Sequence, residues 1–160
     1  KSVLRGISSI SGFTSTILAK KFKFNYSTSD YKDILNDEKI DTVFITTQHD
    51  SHSKFIIESL NSGKNVFVEK PLAITKTQLE SVINAYKKNK SNSLTIGFNR
   101  RFSPHMLAIK ESLTIKEEPI SISITINAGY LPKELWVHDM KKVEVELSEK
   151  LVISWIYVCF

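Results

Sequence analysis

Lys70, the middle residue of the tripeptide Glu69-Lys70-Pro71, is the side chain best suited to chemistry in this 160-residue chain. Beside a reacting centre, a lysine can hydrogen-bond a substrate hydroxyl and hold or move its proton. Pro71 favours an extended backbone at Lys70 and thereby fixes the direction of the lysine side chain. The alternative interpretation is an exposed lysine that follows a strand and pairs with Glu69.

A second group of polar residues follows the apolar run Thr42–Thr47. His49, Asp50 and His52 are residue types that bind metals, but their spacing matches no standard site, so no metal is predicted. His52 can instead meet a free backbone amide at the start of a helix.

A third candidate is the pair Arg100 and Arg101, which comes directly after a predicted strand. Two neighbouring guanidinium groups can bind an anionic substrate group through parallel hydrogen bonds. The alternative is a solvated pair of surface arginines.

The elements that position these residues form a strand–helix–strand unit. The β-branched run Thr42–Thr47 predicts a buried parallel strand, and Asn65–Val68 predicts the strand that follows it. Between them, Ser51 or Asp50 is expected to cap a helix, and Gly63 is expected to end it. The apolar positions of this helix recur at helical spacing and are Phe55, Ile56 and Leu60.

Up to residue 98 the chain alternates strands with helices, which predicts a doubly wound parallel sheet. The further strands are predicted at 2–9, 24–27 and 94–98, and the further helices at 12–22, 30–35 and 76–89. Ser29 or Asp30 is expected to cap the helix at 30–35. Phe13, Ile17, Leu18 and Ala19 of the first helix are expected to face the sheet, and Thr75 with Gln78 makes a capping box for the last. Ligands of such sheets bind beyond the carboxyl ends of the strands, where 46–52 and 69–71 lie.

A second kind of structure is predicted after residue 98. Ser103 is expected to cap a new helix with Pro104 in its first turn. Residues 119–128 then alternate isoleucine with serine or threonine, as in a strand with one solvated face. This pattern predicts the start of a second α/β domain over residues 99–140, after a first domain over residues 1–98.

The composition is that of a globular protein, with 41% hydrophobic and 24% charged residues. The net charge is +5, but no basic stripe interleaved with aromatic residues appears, so no nucleic acid is predicted as a partner. No apolar run reaches the roughly 18 residues of a membrane span, so no membrane partner is predicted either. The single cysteine, Cys159, is typical of a cytoplasmic protein.

Three stretches together resemble the Gfo/Idh/MocA family of NAD(P)-dependent oxidoreductases. They are the segment TTQHDSHSKFIIESLNSGKNVFVEKPLA, the segment GFNRRFSP, and the segment NAG followed by WVHD. The similarity extends from about residue 2 to residue 139 and is greatest to a subgroup often fused to a zinc-type alcohol dehydrogenase. It implies a Rossmann-type domain and a second, substrate-binding α/β domain, a sugar substrate, NAD or NADP as cofactor, and a homo-oligomer formed through the second-domain sheet.

The resemblance also implies roles for individual residues. Lys70 corresponds to the lysine that handles the substrate proton. The residues implied at the cofactor are Thr46, Thr47, His52, Glu69, Lys70 and Pro71. The residues implied at the substrate are Arg100, Arg101, Trp136 and His138.

Both ends of the chain depart from the family pattern. The Gly-rich phosphate-binding turn has no counterpart among Gly6, Gly12, Gly63, Gly97 and Gly129, so the first βα unit is expected to be missing. Ser8 and Ser9 occupy the place of the ribose-binding acid, which leaves the choice between NAD and NADP open.

After Lys142 the sequence no longer follows the family, and a one-base frameshift explains the change. Codons read one nucleotide out of phase permit the family's continuation, and the single codon of Trp155 then forces an aspartate. Residues 141–160 are therefore predicted to be an aberrant tail, with a natural divergent tail as the alternative. The predicted function is that of a fragment of a sugar or sugar-nucleotide oxidoreductase, inactive as it stands. The alternatives are a non-catalytic fragment that binds nothing tightly and a decoy subunit that pairs with intact relatives.

Overall fold

The computed structural model describes residues 2–113 and the single positions 130 and 132. The strands are β1 (Gly6–Ser8), β2 (Tyr26–Thr28), β3 (Thr42–Ile45), β4 (Asn65–Glu69) and β5 (Leu94–Gly97). The α-helices are α1 (Gly12–Phe22), α2 (Tyr31–Asn36), α3 (His52–Asn61), α4 (Lys76–Lys88) and α5 (Pro104–Ser112). Single 3₁₀ turns at His49–Ser51 and Asn99–Phe102 precede α3 and α5.

Every strand pair in this part of the chain is parallel, which confirms the predicted α/β class. One sheet consists of β1 and β2, and the other has the order β3-β4-β5. In the second sheet Ile45 pairs with Val68, and Glu69 pairs with Gly97. The carboxyl ends of β3, β4 and β5 therefore lie side by side.

The hydrophobic core lies between this sheet and the helices α3 and α4. The α3 residues Ile56 and Leu60 have no exposed surface, as expected for positions one turn apart on one face of a helix. They belong to a buried cluster that consists of Ile45, Ile56, Leu60, Val66, Val68, Val82 and Ala85. Burial of a side chain of this size contributes about 1.5–3 kcal/mol to folding.

Side-chain caps begin three helices as the sequence predicts. Asp30 accepts a hydrogen bond from the backbone amide of Lys32 at 2.9 Å, at the start of α2. Thr75 accepts one from the amide of Gln78 at 3.2 Å, and Ser103 caps α5 with Pro104 in its first turn.

The predicted cap of α3 is wrong. Neither Ser51 nor Asp50 caps the helix, because the turn His49–Ser51 leads directly into it. The Ser51 hydroxyl instead donates to the carbonyl oxygen of Gln48 at 2.7 Å. The predicted end is confirmed, since Gly63 adopts φ +72° directly after the last turn.

The predicted inward face of α1 is also partly wrong. Phe13 and Ile17 are 78% and 48% exposed, whereas Ser15 and Ala19 are buried. Serine and alanine are small and let the helix backbone approach β1 and β2 closely, with Leu18 half-buried beside them. The larger side chains of Phe13 and Ile17 therefore remain exposed.

Polar contacts hold the region between α2 and β3. The Asp37 carboxylate accepts hydrogen bonds from Arg5 Nε at 2.9 Å and from the Tyr26 hydroxyl at 3.1 Å. The buried Lys64 ammonium group donates to the carbonyl oxygens of Asp37 and Ile40 at 2.9 and 2.8 Å. These contacts connect the β1–β2 sheet to the chain that enters β3 and β4.

The two predicted domains differ in how much of them is described. Residues 2–98 and the helix α5 lie within the described part, whereas 119–128 and the predicted aberrant tail 141–160 lie outside it. Among the described residues, no helix is both long and apolar enough to cross a bilayer.

Candidate functional site

The carboxyl edge of the β3–β4–β5 sheet brings three loops together. Their starting points are fixed by the strand pairing, in which Ile45 lies beside Val68, and Glu69 beside Gly97. Residues 46–52, 70–75 and 98–103 therefore leave the sheet at the same edge. We call this region the carboxyl edge and use the name for these three loops and the strand ends that carry them.

Lys70 and Pro71 follow β4 directly at the carboxyl edge. Lys70 is half-buried, Pro71 is buried, and the peptide bond between them is cis. This half-buried position differs from the fully exposed lysine of the alternative interpretation.

His52 lies fully buried between two loops of the carboxyl edge. Its Nδ1 is 2.7 Å from the carbonyl oxygen of Pro71, and its Nε2 is 3.0 Å from the carbonyl oxygen of Thr47. The His49 ring lies edge-on to it at 5.7 Å between centroids. The predicted contact of His52 with the cofactor remains a prediction, and both ring nitrogens already meet backbone oxygens.

Glu69 is the last residue of β4, and its carboxylate lies over the end of β5. Asn99 donates its side-chain amide to Glu69 Oε1 at 3.1 Å. A Cβ atom on Gly97 would lie 3.0 Å from Glu69 Oε2 and 3.1 Å from the Phe67 ring. Gly97 therefore leaves the space in which the carboxylate rests.

The loop after β3 carries hydroxyl groups. The Thr47 and Ser51 hydroxyl oxygens are 2.7 Å apart. Because the Ser51 hydrogen goes to the Gln48 carbonyl, Thr47 is the donor of this pair. Thr46 is exposed next to it, at the end of the strand.

Arg100 and Arg101 lie in the turn Asn99–Phe102 and are exposed. The guanidinium carbon of Arg101 is 5.2 Å from the centroid of the Phe102 ring, a distance typical of cation–π contacts. Both arginines belong to the third loop of the carboxyl edge. Trp136 and His138 lie outside the described residues.

The structure thus places most of the predicted site residues at one edge of one sheet. Asn99 was not predicted, although it lies within the GFNRR segment, because only the fold brings it to Glu69. In residues 2–113, no three histidine, cysteine, aspartate or glutamate side chains lie together so as to hold a metal ion.

Residues 1–98 match the model of a family described as an oxidoreductase family with an NAD-binding Rossmann fold, Gfo/Idh/MocA. The chain belongs to this family. The match confirms the predicted family and agrees with NAD(P) as the cofactor class. The suggested subgroup with a fused zinc-type alcohol dehydrogenase stays a prediction.

Known relatives agree with this assignment. The chain is 30% identical over 150 residues to the oxidoreductase YrbE of Bacillus subtilis, covering 85% of this chain and 44% of the relative. It is 38% identical over 110 residues to inositol 2-dehydrogenase of Salmonella typhimurium, covering 69% and 29%. The solved structure of levoglucosan dehydrogenase with NADH and levoglucosan superposes with a TM-score of 0.62 at 29% identity, covering 69% of this chain and 30% of that enzyme. The chain therefore spans less than half the length of these relatives.

Proposed function

We propose that this chain supplies the NAD(P)-binding part of an oxidoreductase that acts on a cyclic polyol or a related sugar. The single observation that carries the proposal is the position of Lys70, held half-buried at the carboxyl end of β4 among the loops that the fold class uses for ligands. Similarity to an inositol dehydrogenase and to a levoglucosan dehydrogenase supports the substrate class.

The side chains of the carboxyl edge fit a nicotinamide nucleotide chemically. A ribose presents hydroxyl groups, and the half-buried Glu69 carboxylate can accept hydrogen bonds from them. The Thr46 hydroxyl is exposed beside it and can donate or accept. We therefore assign Thr46, Thr47, Glu69 and Pro71 to the cofactor side of the site.

Bound NAD(P) would supply the acceptor or donor of the hydride. Lys70 acts on the other half of the reaction, because its Nζ can hydrogen-bond the reacting hydroxyl of the substrate and hold or move its proton. Arg100 and Arg101 are exposed on the third loop and are assigned to polar or anionic groups of the substrate.

The domain organisation belongs to the same proposal. Residues 1–98 form the nucleotide-binding domain, and residues 99–140 begin the substrate-binding domain. The family match, which ends at residue 98, supports this boundary. Residues 141–160 are assigned to neither.

A titration of the chain with NADH and NADPH tests the cofactor half of the proposal. We expect saturable binding, followed by nucleotide fluorescence, that weakens in Glu69→Ala and is unchanged in Glu38→Ala, an exposed carboxylate remote in sequence from this edge. Absence of saturable binding up to millimolar nucleotide would overturn the proposal.

Turnover with myo-inositol or levoglucosan and NAD or NADP tests the chemical half. Where turnover is measured, Lys70→Ala should lower kcat by roughly 10²–10⁴-fold, the range for a positioned proton-transfer group. Binding of the nucleotide with no turnover of any polyol would favour the inactive chain over the enzyme. Unchanged turnover in Lys70→Ala would give the lysine a structural role only.

A further inference from the structure

We propose that His52 is a positioning residue that ties two loops of the carboxyl edge together and thereby aligns Lys70 with the cofactor-side loop. The inference rests on the proposed function for its effect on catalysis. The hydrogen bond that joins the two loops, which we call the bridge, lies within the described residues and is tested separately.

The position of the His52 ring is set by the core. His52 begins α3, and residues four and eight positions later on the same face, Ile56 and Leu60, are fully buried. His52 is fully buried as well, so the ring continues the buried stripe of the helix up to the carboxyl edge. A helix anchored in this way holds the ring in one place relative to the sheet.

The two partners of the ring belong to different loops. The Pro71 carbonyl is 2.7 Å from Nδ1 and follows Lys70 directly, whereas the Thr47 carbonyl is 3.0 Å from Nε2 and belongs to the loop after β3. Pro71 lies 19 residues from His52, so no local backbone geometry fixes this approach. The ring therefore makes a direct polar connection between the two loops.

The ring can donate to only one of the two loops at a time. Both partners are carbonyl oxygens, which only accept, and a neutral imidazole carries a single N–H. The contact with Pro71 is the shorter of the two, so we assign donation from Nδ1–H to Pro71. Loss of this bond frees the Lys70–Pro71 segment from the start of α3.

Two substitutions separate donation at Nδ1 from donation at Nε2. In His52→Asn the side-chain amide nitrogen can take the place of Nδ1, which retains the bond to Pro71. In His52→Gln the amide nitrogen can take the place of Nε2, which removes the bond to Pro71 and puts a donor beside the Thr47 carbonyl instead. Ser59→Ala is the matched control, because Ser59 is 1% exposed on the same helix but lies towards its other end.

The bridge is read from backbone amide nitrogen shifts, which respond to hydrogen bonding at the preceding carbonyl group. We expect the Leu72 and Gln48 signals to be retained in His52→Asn, and both to move in His52→Gln, which exchanges the bond to Pro71 for one to Thr47. Both signals should stay in place in Ser59→Ala. If neither substitution moves either signal, or if both move both signals equally, the bridge is overturned.

The positioning role is tested by measuring kcat and the nucleotide affinity separately in each variant. His52→Gln should lower kcat roughly tenfold with little change in nucleotide affinity, and His52→Asn should leave both constants close to those of the unmodified chain. Equal losses of both constants in both variants would show a purely structural histidine. If the unmodified chain binds no nucleotide, the proposed function fails, and the amide shifts alone still decide whether the bridge exists.

Discussion

The β3–β4–β5 half of the described chain and the β1–β2 half are held together by different forces. The first half buries the cluster that contains Ile56, Leu60 and Val68, with no exposed surface on any of the three. The second half buries little more than Ser15 and Ala19 and leaves the α1 residue Phe13 exposed. The difference indicates that apolar packing stabilises the half bearing Lys70, whereas the other half depends more on polar connections.

The largest expected effect comes from the apolar half. Leu60→Ala removes a fully buried side chain and should lower the free energy of unfolding by about 2–5 kcal/mol. Ile17→Ala on α1 removes a side chain that is 48% exposed and should change it by only about 0.5 kcal/mol. Urea unfolding of both variants measures the contrast. Equal losses would show that the two halves are packed alike.

The next effect concerns the polar connection made by Lys64. Lys64→Met leaves the carbonyl oxygens of Asp37 and Ile40 without this donor and should cost about 1–3 kcal/mol. Lys39→Met, at an exposed position in the same segment, is the control. Hydrogen exchange should become faster in α2 than in α3 when Lys64 is replaced. An unchanged exchange pattern would mean that the connection does not hold α2.

A smaller effect should appear as a pH dependence of stability. The backbone amide of Lys39, together with Arg5 and Tyr26, holds the pKa of the Asp37 carboxyl below its usual value. A lowered pKa stabilises the folded state above the unfolded-state pKa of about 3.9, and this contribution is lost as the pH falls through the folded-state pKa. In Asp37→Asn the acid-side fall in stability should be shallower than in the unmodified chain. Parallel curves between pH 5 and pH 2 would contradict the role of the Asp37 cluster.

Tyr26 is expected to give a pH dependence of stability with the opposite sign, at alkaline pH. Burial, and then the neighbouring Asp37 carboxylate, raise the pKa of the Tyr26 hydroxyl above 10.0. This contribution is complete below the unfolded-state pKa and is lost as the pH rises through the folded-state value. Tyr26→Phe should therefore flatten the loss of stability above pH 10. Identical dependence of the unfolding free energy on pH in Tyr26→Phe and the unmodified chain would contradict this account.

The smallest expected effect is at the carboxyl edge itself. Gly97→Ala puts a Cβ 3.0 Å from Glu69 Oε2 and 3.1 Å from the tip of the Phe67 ring, and both are far ends of side chains that can move aside. We expect a change in stability of about 1 kcal/mol or less, with a displaced Glu69 carboxyl resonance in ¹³C spectra. Asn99→Ala should displace the same resonance, because it removes the donor to Glu69. A resonance unmoved in both variants would contradict the geometry.

Local signals in the sequence predicted much of the fold. The position of β3, the caps at Asp30 and Thr75, and the glycine at position 63 are each determined within a few residues, and the structure confirms them. The predicted burial of β3 is wrong for one face, because Phe44 is 69% exposed whereas Ile45 is buried. The inward face of α1 could not be predicted in the same way, because close packing selected the small residues Ser15 and Ala19 over larger apolar ones.

In the candidate site, too, local features could be predicted from the sequence, whereas contacts between distant residues could not. Lys70 and its neighbours are recognisable as a contiguous motif at a strand end. The contacts of His52 and Asn99 cross 19 and 30 residues of chain, so only the folded structure reveals their partners. Side chains that position others are for this reason harder to predict than those expected to react.

The most direct test of the central claim is a map of backbone amide shifts in the chain during titration with NADH. The account predicts that the saturable shifts include residues 46–52 and 69–72, at the carboxyl ends of β3 and β4. Residues 62–65 and 90–93, at the opposite ends of β4 and β5, should remain unshifted. Shifts confined to the opposite ends, with residues 69–72 unchanged, would contradict the assignment of Lys70 and its edge to the cofactor site.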